Sequence, residues 1–271
     1  MTDTVVDGRS AAQEPAVRWI EPSAIAAIWT REVTLFSRYW RSTSFSALVE
    51  PLVYLLAFGF GFGSLIAFIG DIPYIQFLGT GIVASAVLFT SVFAGMYTTY
   101  IRRTFQKTYD SLLAAPIDVH EIVLGEALWI ASKAAVYGCA PLLAAMLFGL
   151  PPSWGMLLVP FIGFVTGLGF ALFGILASAS VPSIDSFNYI TSAVVTPLFL
   201  VSGTFFPLEG APEWAQRLAY VNPLYHCVEL VRDAVFVQLS WIDVVHVGVL
   251  AFFATLMGWL AIRTMRLRLI G

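Results

Sequence analysis

Six apolar stretches separated by short connectors constrain this 271-residue chain more than any other feature, because each reaches or exceeds the ~18 residues that carry a helix across a bilayer. They run over 45–68, 77–100, 122–147, 156–179, 189–206 and 244–262. Lipid offers no partner to a bare backbone N–H or C=O, so spans of this length must be helical. The predicted fold class is an all-α polytopic membrane protein with six transmembrane helices. Hydrophobic residues make up 59% of the chain and charged residues 11%, which leaves no room for a sizeable water-soluble domain.

The distribution of basic residues orients the spans. Arg9, Arg18, Arg31, Arg38 and Arg41 precede the first, Arg102, Arg103 and Lys107 follow the second, and Arg263, Arg266 and Arg268 follow the last, so eleven of the 14 basic residues share one side. Only Arg217 and Arg232 fall on the other. The positive-inside rule then makes both termini cytoplasmic, in agreement with an even number of spans. Residues 1–21 are polar and lack the apolar core of a cleavable signal, so a flexible cytoplasmic tail is expected there. Cys139 and Cys227 read as small apolar residues rather than a disulfide.

Between the tail and the first span, over 22–41, Ile25, Ile28, Trp29, Val33, Phe36, Tyr39 and Trp40 recur at helical spacing, with Arg31, Arg38 and Arg41 toward the other face. An amphipathic helix is expected, lying on the membrane surface or against a protein partner. The loop 102–119 holds a short helical pattern, Tyr109, Leu112 and Leu113, stopped by Pro116, and reads as a docking element or as an ordinary turn. Asp118 and Glu121 after it form a capping-box pattern for the third span. Residues 207–238 are too polar to span and too apolar for a free loop. Asn222-Pro223 divides them into two short helices, a hairpin in the outer leaflet whose Trp214, Tyr220 and Tyr225 suit the interface belt.

Chemistry is sparse. A phosphate loop needs glycines before a Lys and a hydroxyl residue after it, yet Lys107 is preceded by Ile101 and Gln106 at the glycine positions, and Lys133 is followed by Ala134. Gly59, Gly61 and Gly63 lie inside an apolar span and read as helix-packing glycines. His120, His226 and His246 are scattered and make no metal motif, so no metal site is expected. Lys133 lies about 18 Å into the third span, where an ionised Lys costs ~2.5–3.5 kcal/mol, so it should face the bundle. Glu126 is about 10 Å away along the same helix. Glu50, beside Pro51 at the start of the first span, is placed to meet Lys133 or a surface arginine. Glu50 and Lys133 read either as a gate or substrate contact or as a structural ion pair.

The chain resembles the membrane subunits of ABC-2 type exporters, most closely the branch with nodulation-protein J type permeases and related polysaccharide and drug efflux permeases. The resemblance rests on Leu112-Leu113-Ala114-Ala115-Pro116-Ile117, on Glu121-Ile122-Val123-Leu124-Gly125-Glu126, on the run from Pro197 to Leu208, on Asn222-Pro223-Leu224-Tyr225-His226 with Arg232 beyond, and on Glu50-Pro51. It implies a single transmembrane domain over 42–271. A second permease, most simply an identical copy, and two ATP-binding subunits would complete the transporter, the latter holding ATP and magnesium, so this chain binds no cofactor itself. It further implies that Asp110, Leu112, Leu113 and Pro116 dock the ATPase, and that Glu50, Tyr54, Phe58, Phe62, Lys133 and Phe199 line a translocation route. The outer hairpin would be built on Pro207, Trp214, Asn222, Pro223, Glu229 and Arg232. The cargo is expected to be lipid-linked, glycan-type or amphipathic and drug-like, exported across a bacterial cytoplasmic membrane. Membrane lipids are the remaining partners; nothing points to nucleic acid. The alternative is an ion-coupled secondary transporter without an ATPase, which usually carries paired acids or half-helices at mid-bilayer. A membrane-embedded enzyme would need a convergent catalytic set, and none is visible.

Overall fold

The computed structural model describes residues 21–270, leaving out the side chains of Ser46, Ala47, Leu48, Glu50, Pro51 and Glu209. The tail expected over 1–21 thus falls, except for Glu21, outside the described residues. Helix follows helix: α1 (Pro22–Phe36), α2 (Trp40–Gly61), α3 (Tyr74–Phe93), α4 (Thr108–Leu113), α5 (Val119–Leu147), α6 (Val159–Ser180), α7 (Phe187–Ile190), α8 (Thr196–Leu200), α9 (Glu213–Val221), α10 (Pro223–Phe236) and α11 (Trp241–Leu269). A two-residue antiparallel hairpin, β1 (Phe68–Ile69) with β2 (Ile72–Pro73), joins α2 to α3 in the register Phe68↔Pro73 and Ile69↔Ile72.

Among the described residues, four helices are long and apolar enough to cross a membrane: Tyr74–Phe105, Val119–Leu147, Trp154–Ser180 and Trp241–Leu269. They match the second, third, fourth and sixth predicted stretches. The second runs on to Phe105 through two π turns, Ala94–Thr98 and Ile101–Phe105, so Arg102 and Arg103 belong to the helix rather than to the loop that follows. The first stretch is represented by α2, whose 22 residues extend about 33 Å before a 3₁₀ turn at Phe62–Ser64.

The fifth stretch departs from expectation. Helix covers only 187–200, interrupted by a π turn at Thr191–Val195, and extends about 21 Å; residues 201–206 leave helical geometry. Gly203 takes φ +78°, open to glycine, and the turn it makes buries Ser202 and Thr204. The two hydroxyls lie 2.7 Å apart and Thr204 Oγ1 is 3.4 Å from Ser85 of α3, so the irregular chain finds its polar partners inside the protein.

α3 is the central helix, packed by α5, α6, α2 and α10, with α11 on α6. α3 and α6 touch backbone to backbone: a Cβ on Gly174 would stand 2.6 Å from the Val92 carbonyl and 2.9 Å from Gly95 Cα. Small residues at such crossings let helices approach without a large apolar driving force. The predicted capping box is present, Asp118 and Glu121 closing the first turn of α5, and Asp118 also takes Arg266 of α11 at 3.0 Å. Asn222 caps α10 through the Leu224 N–H and donates to the Leu198 carbonyl at 2.7 Å. The amphipathic helix ends at Phe36, five residues earlier than expected, because the chain turns at 37–39 before α2. It lies against α5 of its own chain. Ala24, Ile28 and Glu32 are its buried residues, while Trp29 packs edge-on to Trp129 of α5 at 5.7 Å.

Candidate functional site

A cavity of about 500 Å³ opens between α1, α2, α3 and α5. Tyr54, Phe89, Phe93, Trp129 and Tyr137 give it aromatic walls, and Ser85, Thr90, Thr98 and Thr99 supply hydroxyls. At its arginine-rich end it meets Glu32 and Arg102, and Lys133 reaches it from the middle of α5. Such a surface can hold an apolar body along the rings and a polar group near the hydroxyls and cations.

The Glu32–Arg102 pair at the base of the cavity was not legible as a site in the sequence. Arg102 reaches Glu32 of α1 at 2.6 Å and Glu126 of α5 at 3.0 Å, and Glu32 also takes Arg31 at 2.9 Å. Both carboxylates are 1% exposed. Glu126 accepts further hydrogen bonds from Thr99 and from the Tyr109 hydroxyl. Burial lifts the Glu32 carboxyl above the ordinary range, with Arg102 opposing the lift. Burial, and then the Glu126 carboxylate, holds the Tyr109 phenol well above its usual value, so the phenol stays a donor. Four segments, α1, the end of α3, α4 and α5, are thus joined by one polar network.

That network anchors α4. Tyr109 is fully buried, while Leu112 and Leu113 are half-buried in the apolar cluster around Ile28, Val123 and Met265. Asp110 and Pro116 face outward, Asp110 lying 4.0 Å from Lys107. The proposed docking set is therefore split: Asp110 and Pro116 are presented, whereas the two leucines hold the helix to the bundle.

The predicted route residues Tyr54, Phe58, Phe62 and Phe199 come together. Phe62, Phe58 and Tyr54 stack along α2; Phe58 touches Phe205, which touches Phe199, which touches Phe89. Phe93, Tyr97, Phe187 and Tyr100 continue the series toward the arginine-rich end, with successive ring centroids 4.9–6.1 Å apart. Tyr54, Phe89 and Phe93 belong to both the ring series and the cavity wall. Lys133 lies 5.6 Å from the Trp129 ring and pairs with no carboxylate among the described residues. The Glu50 side chain, its proposed partner, lies outside the described residues.

The opposite end of the bundle is polar as well. Pro207 leads into a short turn, Leu208–Gly210, and Trp214 on α9 is exposed. Arg232 of α10 takes Glu229 at 2.8 Å and the Gly203 carbonyl at 3.1 Å, and lies 3.9 Å above the Phe77 ring. His226 and His246, expected to be scattered, meet with their Nδ1 atoms 2.6 Å apart. Because His226 Nε2 faces the Tyr220 carbonyl at 2.9 Å, it carries the hydrogen, and a neutral His226 accepts at Nδ1 from His246. No group of three or more metal-ligating side chains gathers among the described residues.

Asp233 of α10 faces Asp243 of α11. Burial, and then its hydrogen bond and charge repulsion with Asp243, pushes the Asp233 carboxyl up to about 7. The docked hairpin therefore holds a proton that the free chain gives up near the ordinary carboxylate value. Its contribution to docking is full in acid and is lost as pH rises through about 7. Hydrogen exchange of α10 at pH 5.5 and 8 should show faster opening at the higher pH, and Asp233→Asn should remove that difference. An unchanged pH dependence in the variant rejects the assignment.

Residues 23–236 match the family described as ABC-2 type transporter. The chain is 31% identical to nodulation protein J of Sinorhizobium fredii over 265 residues, which cover 97% of this chain and 99% of that protein. It is likewise 31% identical to nodulation protein J of Rhizobium leguminosarum bv. trifolii, over 97% of this chain and 98% of the relative. With the inner membrane transport permease YadH of Escherichia coli it shares 26% identity over 76% of this chain and 80% of that protein.

Proposed function

The chain belongs to the ABC-2 type transporter family, and from that premise we propose that it is the permease of an ATP-driven exporter, powered by a separate ATP-binding subunit. In this reading α2 and the broken segment 187–200 join the four long helices as six membrane segments. The arginine-rich end faces the cytoplasm, and the hairpin of α9 and α10 rests at the outer leaflet. Two copies of the chain pair with two ATP-binding subunits, which hold the nucleotide and magnesium. The cargo is an amphipathic, lipid-linked, glycan-type or drug-like molecule that passes along the aromatic series.

The observation that carries this reading is the unbroken path from α4 to the cavity. Tyr109 on α4 holds Glu126, Glu126 holds Arg102, and Arg102 shares the cavity base with Glu32. When ATP closes the partner pair, α4 moves. A displaced Tyr109 must drag or break a network whose two carboxylates are almost fully buried, so α1, α3 and α5 rearrange together. The cavity then opens outward at the interface between permeases.

Purification with the ATP-binding subunit tests the proposal. The complex should be stable and should hydrolyse ATP faster when cargo is present. Asp110→Lys should weaken ATPase association at least about tenfold and separate ATP turnover from export, with membrane insertion intact, and Leu112→Gln should separate them by loosening α4 from the bundle. Wild-type coupling in both variants withdraws the docking assignment. A fully active carrier made from this chain alone and driven by an ion gradient replaces the exporter reading with secondary transport.

A further inference from the structure

We infer that the cavity takes an anionic amphiphile, whose acidic group pairs with Lys133 while its apolar body lies along Tyr54, Phe89 and Phe93. This deepens the exporter reading and rests on it. The argument is one of charge balance. Arg31 and Arg102 are matched by Glu32 and Glu126, two cations to two carboxylates, all within 3.0 Å of a partner. Lys133 stands outside that balance. Among the described residues no carboxylate lies within ion-pair distance of it, and its contact is the face of Trp129 at 5.6 Å.

An ammonium near mid-helix in a membrane bundle is retained only with compensation, and among the described residues Lys133 has the Trp129 face but no carboxylate within ion-pair distance, Glu32 at the same cavity being already held by Arg31 and Arg102. An anion fits beside Lys133, where the cavity measures about 500 Å³. The rings there suit an acyl, prenyl or aromatic body, and Ser85, Thr90 and Thr98 can hydrogen-bond a phosphate, sulfate or carboxylate head or the sugar next to it. A cationic amphiphile meets the charge of Lys133 with no net charge from the balanced Glu32–Arg102 network to offset it, and a neutral one leaves Lys133 without its counter-charge. The shared chemistry is an acidic head on an apolar body, whether the molecule is cargo or a bilayer lipid.

Equilibrium binding to the permease–ATPase complex in phosphatidylcholine nanodiscs tests this, with dodecyl phosphate, dodecyl maltoside and dodecyltrimethylammonium as probes. The wild-type complex should prefer the phosphate to the cation by at least about tenfold. Lys133→Met should abolish that preference, leaving dodecyl maltoside within about twofold of wild type, and Lys133→Arg should keep it. Displacement of dodecyl phosphate by phosphatidylglycerol assigns the anion to a bilayer lipid; retention assigns it to cargo, and both keep the site. Equal affinity of the wild-type complex for all three probes overturns the inference, and that comparison needs no variant to fold. Equal weakening of the phosphate and maltoside probes by Lys133→Met also overturns it, by making Lys133 a packing residue. A complex that couples ATP turnover to cargo yet shows no anion preference loses this inference alone, whereas a chain that never engages an ATPase loses the exporter reading.

Discussion

Arg102→Met will destabilise the protein by about 3–5 kcal/mol, because it leaves Glu32 and Glu126 buried without the cation between them. The methionine fills much of the same space, so the loss is electrostatic rather than a cavity effect. Thermal unfolding of the purified protein should show a large drop, and ATP turnover of the complex should lose its response to cargo. Removing both acids as well, in Glu32→Gln with Glu126→Gln on the Arg102→Met background, should recover most of the stability, since buried ions replaced as a set cost far less than one removed alone. Coupling should stay lost, because Tyr109 then holds a neutral amide with weaker hydrogen bonds. A single variant as stable as wild type would show that the network carries no such load.

The second large effect is steric. Gly174→Val places a branched side chain where a Cβ alone stands 2.6 Å from the Val92 carbonyl and 2.9 Å from Gly95 Cα. Backbone cannot yield as a side-chain tip can, so α3 and α6 must separate, and the π turn at Ala94–Thr98 loses its packing against α6. Overpacking of this kind costs about 1–3 kcal/mol or more. The variant should reach the membrane in lower yield, and its α3 amides should exchange faster. Gly248, with nothing within 4 Å of its Cβ position, is the matched control and should accept Val with little change in packing. Equal behaviour of the two variants contradicts the close α3–α6 crossing.

Local rules made much of this structure legible. Asp118 with Glu121 starts α5 where the capping-box spacing puts it, and Asn222-Pro223 divides the hairpin because a side-chain acceptor and a proline favour a helix start. Tyr54, Phe58 and Phe62 share one face of α2 by simple i, i+4 spacing. The polar network was hidden for a physical reason: Glu32, Arg102 and Glu126 are 70 and 24 residues apart, and Arg102 reads first as a sidedness signal at the end of a span. The helix carries on past that end. One clue was available, since Glu32 continues the buried stripe of Ala24 and Ile28 at four-residue steps, where a carboxylate demands a partner. His226 and His246 escaped notice likewise, because their contact depends on how α10 lies across α11 and not on spacing.

Broken helices show the same limit. Residues 189–206 are apolar enough to read as a span, yet Ser202 and Thr204 find hydroxyl partners within the protein, and the chain leaves the helix at Val201. Apolar content reports that a segment is buried; its backbone path depends on which neighbours can satisfy it.

The central claim is that an external ATPase drives this bundle through α4. Placing a photoreactive benzophenone residue at position 110, in native membranes that contain the ATP-binding subunit, tests it most directly. The account predicts a cross-link to that subunit, altered in yield by ATP, and none from the same probe at position 214. Cross-linking from position 214 instead, or no ATPase adduct from position 110, contradicts it.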